Sequence, residues 1–90
     1  MNGSAAQLTT GGGYVWMINL RETKSGERYR LFKIDPRSTR VVRQARLAGP
    51  VGPDAFGSGA LWTGRATPTV SVIRIDPQTL AERVFAKNLG

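Results

Sequence analysis

The sequence contains neither cysteine nor histidine. Without cysteine, no disulfide can cross-link a small fold, and no thiolate can bind a metal or act as a nucleophile. Without histidine, the chain lacks the commonest metal ligand and the commonest general base at neutral pH. No arrangement of carboxylates or lysines marks a catalytic site in their place. We therefore expect no enzymatic activity, no bound metal and no cofactor.

Long apolar runs are also missing. No segment approaches the roughly 20 consecutive apolar residues that span a bilayer. The N-terminus lacks the basic start and apolar core of a signal peptide, and nothing in the sequence indicates a compartment. We therefore expect no association with a membrane.

Acidic residues are scarce relative to basic ones. Thirteen Lys and Arg stand against six Asp and Glu, which gives a net charge of +7. Nine of the basic and three of the acidic residues lie within residues 1–48. Such an excess can mark a surface for a polyanion. No aromatic residues are interleaved as stacking platforms, however, so nucleic acid is not the partner that this pattern favours.

A six-residue pattern occurs twice, as Leu31–Pro36 (LFKIDP) and as Val72–Pro77 (VIRIDP). The first four residues of each copy suit a strand. The Asp-Pro pair then starts a turn, because Pro presets φ and the Asp side chain can accept bonds from backbone N–H groups beyond it. Ile34 and Ile75 are 41 residues apart, and the same offset relates Gly49 to Gly90. The chain therefore consists of two repeats, residues 1–48 and 49–90.

Alternating apolar residues and turn signals predict four strands in each repeat and no sustained helix. Gly11–Gly13 and Gly57–Gly59 read as tight turns, and Gly49–Pro53 as the connection between the repeats. Gln78–Ala86 has a short helix as its alternative. The predicted strands are Ala6–Thr10, Tyr14–Leu20, Arg28–Ile34, Thr39–Leu47, Asp54–Phe56, Ala60–Thr63, Thr69–Ile75 and Ala81–Leu89.

The segments Gly57–Trp62 and Val72–Thr79 resemble blades of the virginiamycin B lyase-like, YVTN and NHL β-propellers. The first repeat carries the same features in Gly11–Trp16 and Leu31–Ser38. The resemblance implies an all-β chain of two four-stranded antiparallel propeller blades, either part of a propeller or a self-assembling unit. Blades of this group often have Gly after the Asp-Pro-x-Thr turn, where this chain has Thr39 and Leu80. The lyase's catalytic histidine has no counterpart, so its activity is not carried over.

Two pairs of equivalent residues have structural interpretations. Trp16 and Trp62 occupy equivalent places in their repeats, and we expect both to be buried between sheets. Asp35 and Asp76 each precede Pro, and we expect them to cap turns rather than to form a catalytic pair.

A candidate binding surface follows from strand direction. Loops after the second and fourth strands of a blade emerge on one side. Here they are Arg21–Glu27, Gly49–Pro53 and Gly64–Pro68. Loops on a rigid scaffold carry much binding function. Arg21, Lys24 and Arg65 are therefore the predicted contacts to an anionic partner.

Three functions stay open. The first is a repeat module with a binding or scaffolding role, whose partners are copies of itself or further blades. The second is a small basic β-barrel that binds nucleic acid. The third is a fragment of a larger propeller enzyme or sensor. Fold alone does not decide among them, since propellers host unrelated functions.

Overall fold

The structure, a computed structural model, describes residues 5–52, 54–66 and 70–87. Within these ranges the chain is all-β and contains no helix, so the helical alternative for Gln78–Ala86 is wrong. Eight strands form two four-stranded antiparallel sheets, each in the order of the chain. The first sheet contains β1 (Ala5–Gly11), β2 (Tyr14–Thr23), β3 (Gly26–Asp35) and β4 (Arg40–Arg46). The second contains β5 (Asp54–Gly57), β6 (Ala60–Arg65), β7 (Ser71–Ile75) and β8 (Glu82–Lys87).

Two of the predicted loops are shorter than expected. β2 and β3 stay paired as far as Thr23 and Gly26, so the loop predicted at Arg21–Glu27 is a two-residue turn. Gly64 and Arg65 likewise belong to β6. The charged residues misled the prediction, because a hairpin end with both faces in water can be fully charged and still pair through its backbone. Of the rest of this predicted loop, residues 67 and 68 lie outside the described ranges, as does residue 69, where the next strand was predicted to begin.

The Asp-Pro turns form as predicted, and both aspartates cap them. The Asp35 carboxylate accepts a bond of 2.9 Å from the Arg37 N–H. The Asp76 carboxylate accepts bonds of 2.7 Å from Gln78 and 3.0 Å from Thr79. The backbone N–H bonds from Thr79 and Gln78 lower the pKa of Asp76 below its ordinary value, since they stabilise the ionised carboxylate. The turn assignment from the sequence is confirmed.

Each of these turns ends on a residue with left-handed backbone. Thr39 has φ of 57° and Leu80 has φ of 63°. Their N–H groups bond back to the carbonyls of Asp35 and Asp76, both at 2.8 Å. Positive φ is uncommon for residues other than Gly and strained for a β-branched one. Glycine would adopt this conformation without strain, so neither turn uses the residue that fits it best.

Each sheet has two faces, because side chains alternate along a strand. We call the side that carries the tryptophan the tryptophan face and the other side the reverse face. In the first sheet Trp16, Ile18 and Leu31 define the tryptophan face, and Val15, Met17, Phe32 and Ile34 define the reverse face. In the second sheet Trp62, Val72 and Arg74 define the tryptophan face, and Leu61, Thr63, Ile73 and Ile75 define the reverse face.

The core lies between the tryptophan face of the first sheet and the reverse face of the second. Its buried members are Trp16, Ile18, Leu31, Leu47, Leu61, Ile73, Ile75 and Leu80. The Trp16 ring stacks on Phe56 with centroids 5.8 Å apart. The two sheets therefore pack in the same sense, the tryptophan face of one on the reverse face of the next.

Candidate functional site: two open sheet faces

The tryptophan face of the second sheet has no sheet packed on it within the described residues. Trp62 is half-buried, and its ring meets the edge of Phe85 at 5.0 Å between centroids. The Arg74 guanidinium lies 5.9 Å from the Trp62 ring centroid. Phe85 is 65% exposed and Val70 is 44% exposed. A monomer rarely leaves contiguous apolar surface of this kind in water unless it binds something.

The expected burial of Trp62 between sheets is therefore wrong, whereas that of Trp16 is confirmed. Trp16 is 0% exposed. Both indoles make the same local bond, from Trp16 Nε1 to the Gly11 carbonyl at 3.0 Å and from Trp62 Nε1 to the Gly57 carbonyl at 2.8 Å. The two residues are locally equivalent, and they differ in burial because, among the described residues, a sheet packs on Trp16 and none packs on Trp62.

The reverse face of the first sheet is the other open surface. Val15, Met17, Phe32 and Ile34 on it are half-buried. Leu8, opposite Met17 in β1, is 66% exposed. Leu8 and Phe85 are the two most exposed large apolar side chains of the described chain, and one lies on each open face.

Arginines occupy one end of this reverse face. Arg21 stands directly opposite Arg28, and Arg30 directly opposite Arg46. They line a hollow of about 650 Å³ together with residues that include Glu22, Phe32 and Gln44. Like charges directly opposite each other destabilise a sheet. The hollow therefore favours an anionic group, which would relieve the repulsion.

Two of these arginines donate hydrogen bonds to neutral side chains. Arg28 donates to Ser25 Oγ at 2.9 Å, and Arg30 donates to Gln44 Oε1 at 3.1 Å. Among the described residues the one salt bridge is elsewhere, between Arg65 and Glu82. Within the described ranges none of the four arginines forms a salt bridge, and Glu22 is the single acidic residue that lines the hollow with them.

Arg21, Lys24 and Arg65 were predicted to share one partner-binding surface. Arg21 lines the hollow, and Lys24 lies in the exposed turn that follows β2. Arg65 lies apart from them and is held within the chain. It bridges to Glu82 at 2.8 Å and donates to the carbonyl of Pro50 at 3.0 Å. A contact of Arg21 or Lys24 with an anionic partner stays a prediction.

Sequence reasoning missed Arg28, Arg30 and Arg46. The available signal was their alternation, since basic residues two apart on a strand share a face. It was overlooked because Arg28 and Arg30 were read as ordinary members of a strand, and Arg46 as a charge that protects an edge. Their approach to Arg21 depends on the register of β2, β3 and β4.

Among the described acidic residues, Asp54 has an unusual environment, and it is not part of a group that could hold a metal. Asp54 has one carboxylate oxygen that is buried without a hydrogen-bond partner, and burial raises its pKa above the ordinary value. In the described ranges no three of His, Cys, Asp and Glu are grouped to hold a metal. No helix there is long and apolar enough to cross a bilayer.

No protein-family model, curated protein or solved structure matches the chain. The resemblance to virginiamycin B lyase-like, YVTN and NHL blades therefore stays a prediction. The arguments that follow depend on the internal geometry of the molecule.

Proposed function

We propose that this chain is a repeat module of two β-propeller blades with a binding or scaffolding role, and that its partners dock on the two open sheet faces. One observation carries the proposal. The chain joins one tryptophan face to one reverse face, and it leaves a second face of each kind open. The surfaces at its two ends are of the same kinds as the surfaces that already bind each other inside it.

The sense of the packing supports blades rather than a closed two-sheet sandwich. In a sandwich the two apolar inner faces meet and the outer faces are polar. Here equivalent faces point in the same direction, so the arrangement can be extended by a further sheet at either end. The first strands of the two sheets, β1 and β5, also contact each other. This suits a propeller, where blades surround a central channel.

The proposal is tested by asking whether the open tryptophan face is needed for folding. We expect Phe85→Ser to change the free energy of unfolding by about 1 kcal/mol or less, because the exposed ring loses only its edge contact with Trp62. The matched control is Ile73→Ala on the buried side of the same sheet, which should cost about 2–5 kcal/mol. Urea unfolding followed by circular dichroism measures both. If Phe85→Ser destabilises as much as Ile73→Ala, this face belongs to the fold and is not a binding surface.

The arginine-lined hollow favours a second candidate function, the binding of an acidic protein segment. Arginine pairs with carboxylates through two parallel hydrogen bonds, and Arg30 and Arg46 lie opposite each other at suitable spacing for several such contacts. Tyr29 and Phe32 also line the hollow, but both are half-buried and do not form an open stacking platform for bases. An acidic peptide is therefore preferred to a nucleic acid.

Poly-L-glutamate, labelled and followed by fluorescence anisotropy, tests this second function. We expect Arg30→Gln with Arg46→Gln to weaken its binding about tenfold, since each arginine supplies charge-assisted hydrogen bonds. Arg40→Gln with Arg43→Gln removes the same charge from β4 at residues that do not line the hollow, and is the control. Equal loss in the two double variants would show that only net charge matters. Tighter binding of a single-stranded DNA at about 200 mM salt would favour the nucleic-acid alternative.

A further inference from the structure

We infer that the partner of each open face is the opposite face of a second copy of this chain. The tryptophan face of one copy's second sheet docks on the reverse face of the next copy's first sheet. This inference rests on the proposed function and names its partner. Its template is the interface inside the chain, whose contacts can be transferred residue by residue through the repeat.

The template has three specific contacts. Trp16 stacks on Phe56. Gly11 lies so close to Phe56 that a Cβ on it would stand 2.3 Å from that ring. Lys33 lies over the Tyr14 ring at 4.2 Å and donates from Nζ to the Pro77 carbonyl at 2.8 Å. Together these contacts fix the position and the rotation of one sheet relative to the other.

The strand registers supply the equivalent residues. Gly57 pairs with Ala60 as Gly11 pairs with Tyr14, and Phe56 pairs with Leu61 as Thr10 pairs with Val15. Between copies, Trp62 therefore lies over Thr10, Gly57 lies against Thr10, and Arg74 reaches the Pro36 carbonyl. The reverse face offers apolar residues at the places of Leu61, Ile73 and Ile75, namely Val15, Phe32 and Ile34.

Gly57 is an independent sign of a neighbour. Nothing lies within 4 Å of a Cβ built on Gly57, and its φ is not in the left-handed region. Neither its surroundings nor its backbone requires glycine at this last residue of β5, and glycine in a strand often marks the close approach of another backbone. At the equivalent Gly11 the reason is visible, because Phe56 of the next sheet fills the space. Gly57 keeps the same clearance for a sheet of another copy.

Two substitutions make the contact between copies weaker than its template. Thr10 stands where the second sheet has Phe56, so the stacking ring is missing. Arg30 stands where the second sheet has the buried Ser71, so a cation approaches the interface. Each copy also carries +7. Salt screens this repulsion, so self-association should strengthen with ionic strength, whereas binding of an acidic peptide should weaken.

The missing ring provides a gain-of-contact experiment. Thr10→Phe restores the partner that Trp62 lacks, and sedimentation equilibrium should show self-association about tenfold tighter than in the unsubstituted chain. Ser38→Phe adds the same ring at an exposed turn and is the control. Gly57→Val adds a side chain whose Cβ meets no atom within 4 Å in its own chain. Combined with Thr10→Phe, it should cancel the gain in self-association. The contact is head to tail, so it extends until a ring closes.

The results separate this inference from the proposed function. A gain specific to Thr10→Phe and cancelled by Gly57→Val supports docking of copies in this register. An equal gain from Ser38→Phe, or a gain that survives Gly57→Val, overturns it. A chain that stays monomeric in every variant also overturns it. None of these results alters the stability test on Phe85, which decides the proposed function without reference to self-association.

Discussion

Replacement of Trp16 by alanine should lower the free energy of unfolding by about 3–5 kcal/mol. The side chain is 0% exposed and lies between the two sheets, where it contacts Phe56 and the Tyr14 ring edge. Its loss leaves a cavity that the two sheets cannot close without sliding. Native proteins have a free energy of unfolding of about 5–15 kcal/mol, so this loss is a large fraction of the total and should lower the melting temperature clearly.

The matched control is Trp62→Ala, which removes an identical side chain from the equivalent place. Trp62 is half-buried and packs mainly on Phe85 at the edge of the open face, so we expect a cost of about 1–2 kcal/mol. Chemical denaturation of both variants at low protein concentration measures the difference. Equal costs would mean that Trp62 is covered by structure that the described residues do not include.

A second pair of equivalent residues should respond to the same substitution with opposite signs. Gly11→Ala places a Cβ 2.3 Å from the Cγ and Cδ1 atoms of Phe56, and these atoms lie close to the backbone and cannot move far. Over-packing of this kind typically costs about 1–3 kcal/mol. Gly57→Ala meets nothing within 4 Å and should stabilise β5 by about 0.5–1 kcal/mol, since alanine restricts the unfolded chain.

Thermal unfolding of the two alanine variants at low concentration tests this pair. The expected result is a lower melting temperature for Gly11→Ala and an unchanged or higher one for Gly57→Ala. If Gly57→Ala is as harmful as Gly11→Ala, the second sheet's tryptophan face is already covered. The interface between copies would then need another location.

Local chemistry made much of the fold predictable. The alternation in β2, β3 and β7 and the two Asp-Pro turns need only neighbouring residues. All five elements formed, with β2 and β3 longer than predicted. The repeat also placed the break between the sheets in the connection around Gly49. The left-handed φ of Thr39 and Leu80 had only an indirect sign in the sequence. That sign was the resemblance to propeller blades, which often have glycine at this position.

Long-range pairing was not predictable. Arg65 was predicted to contact a separate partner molecule. Its ion pair with Glu82 was not foreseen, because Glu82 is 17 residues away in sequence and comes to lie beside Arg65 only after folding. Arg28, Arg30 and Arg46 were not among the predicted binding residues. They were overlooked because four arginines meet around one hollow only when three strands pair in a particular register.

Residue order alone predicted the all-β chain that the structure shows as two four-stranded sheets, because alternation and turn residues act over a few residues and do not depend on the rest of the molecule. The packing of the sheets settled which faces are covered. Trp16 and Trp62 make the same local hydrogen bond, yet Trp16 is buried and Trp62 lies half-buried on an open face, because burial depends on whether another sheet packs on that face. That same asymmetry leaves one tryptophan face and one reverse face open, and these are the surfaces from which the function is proposed.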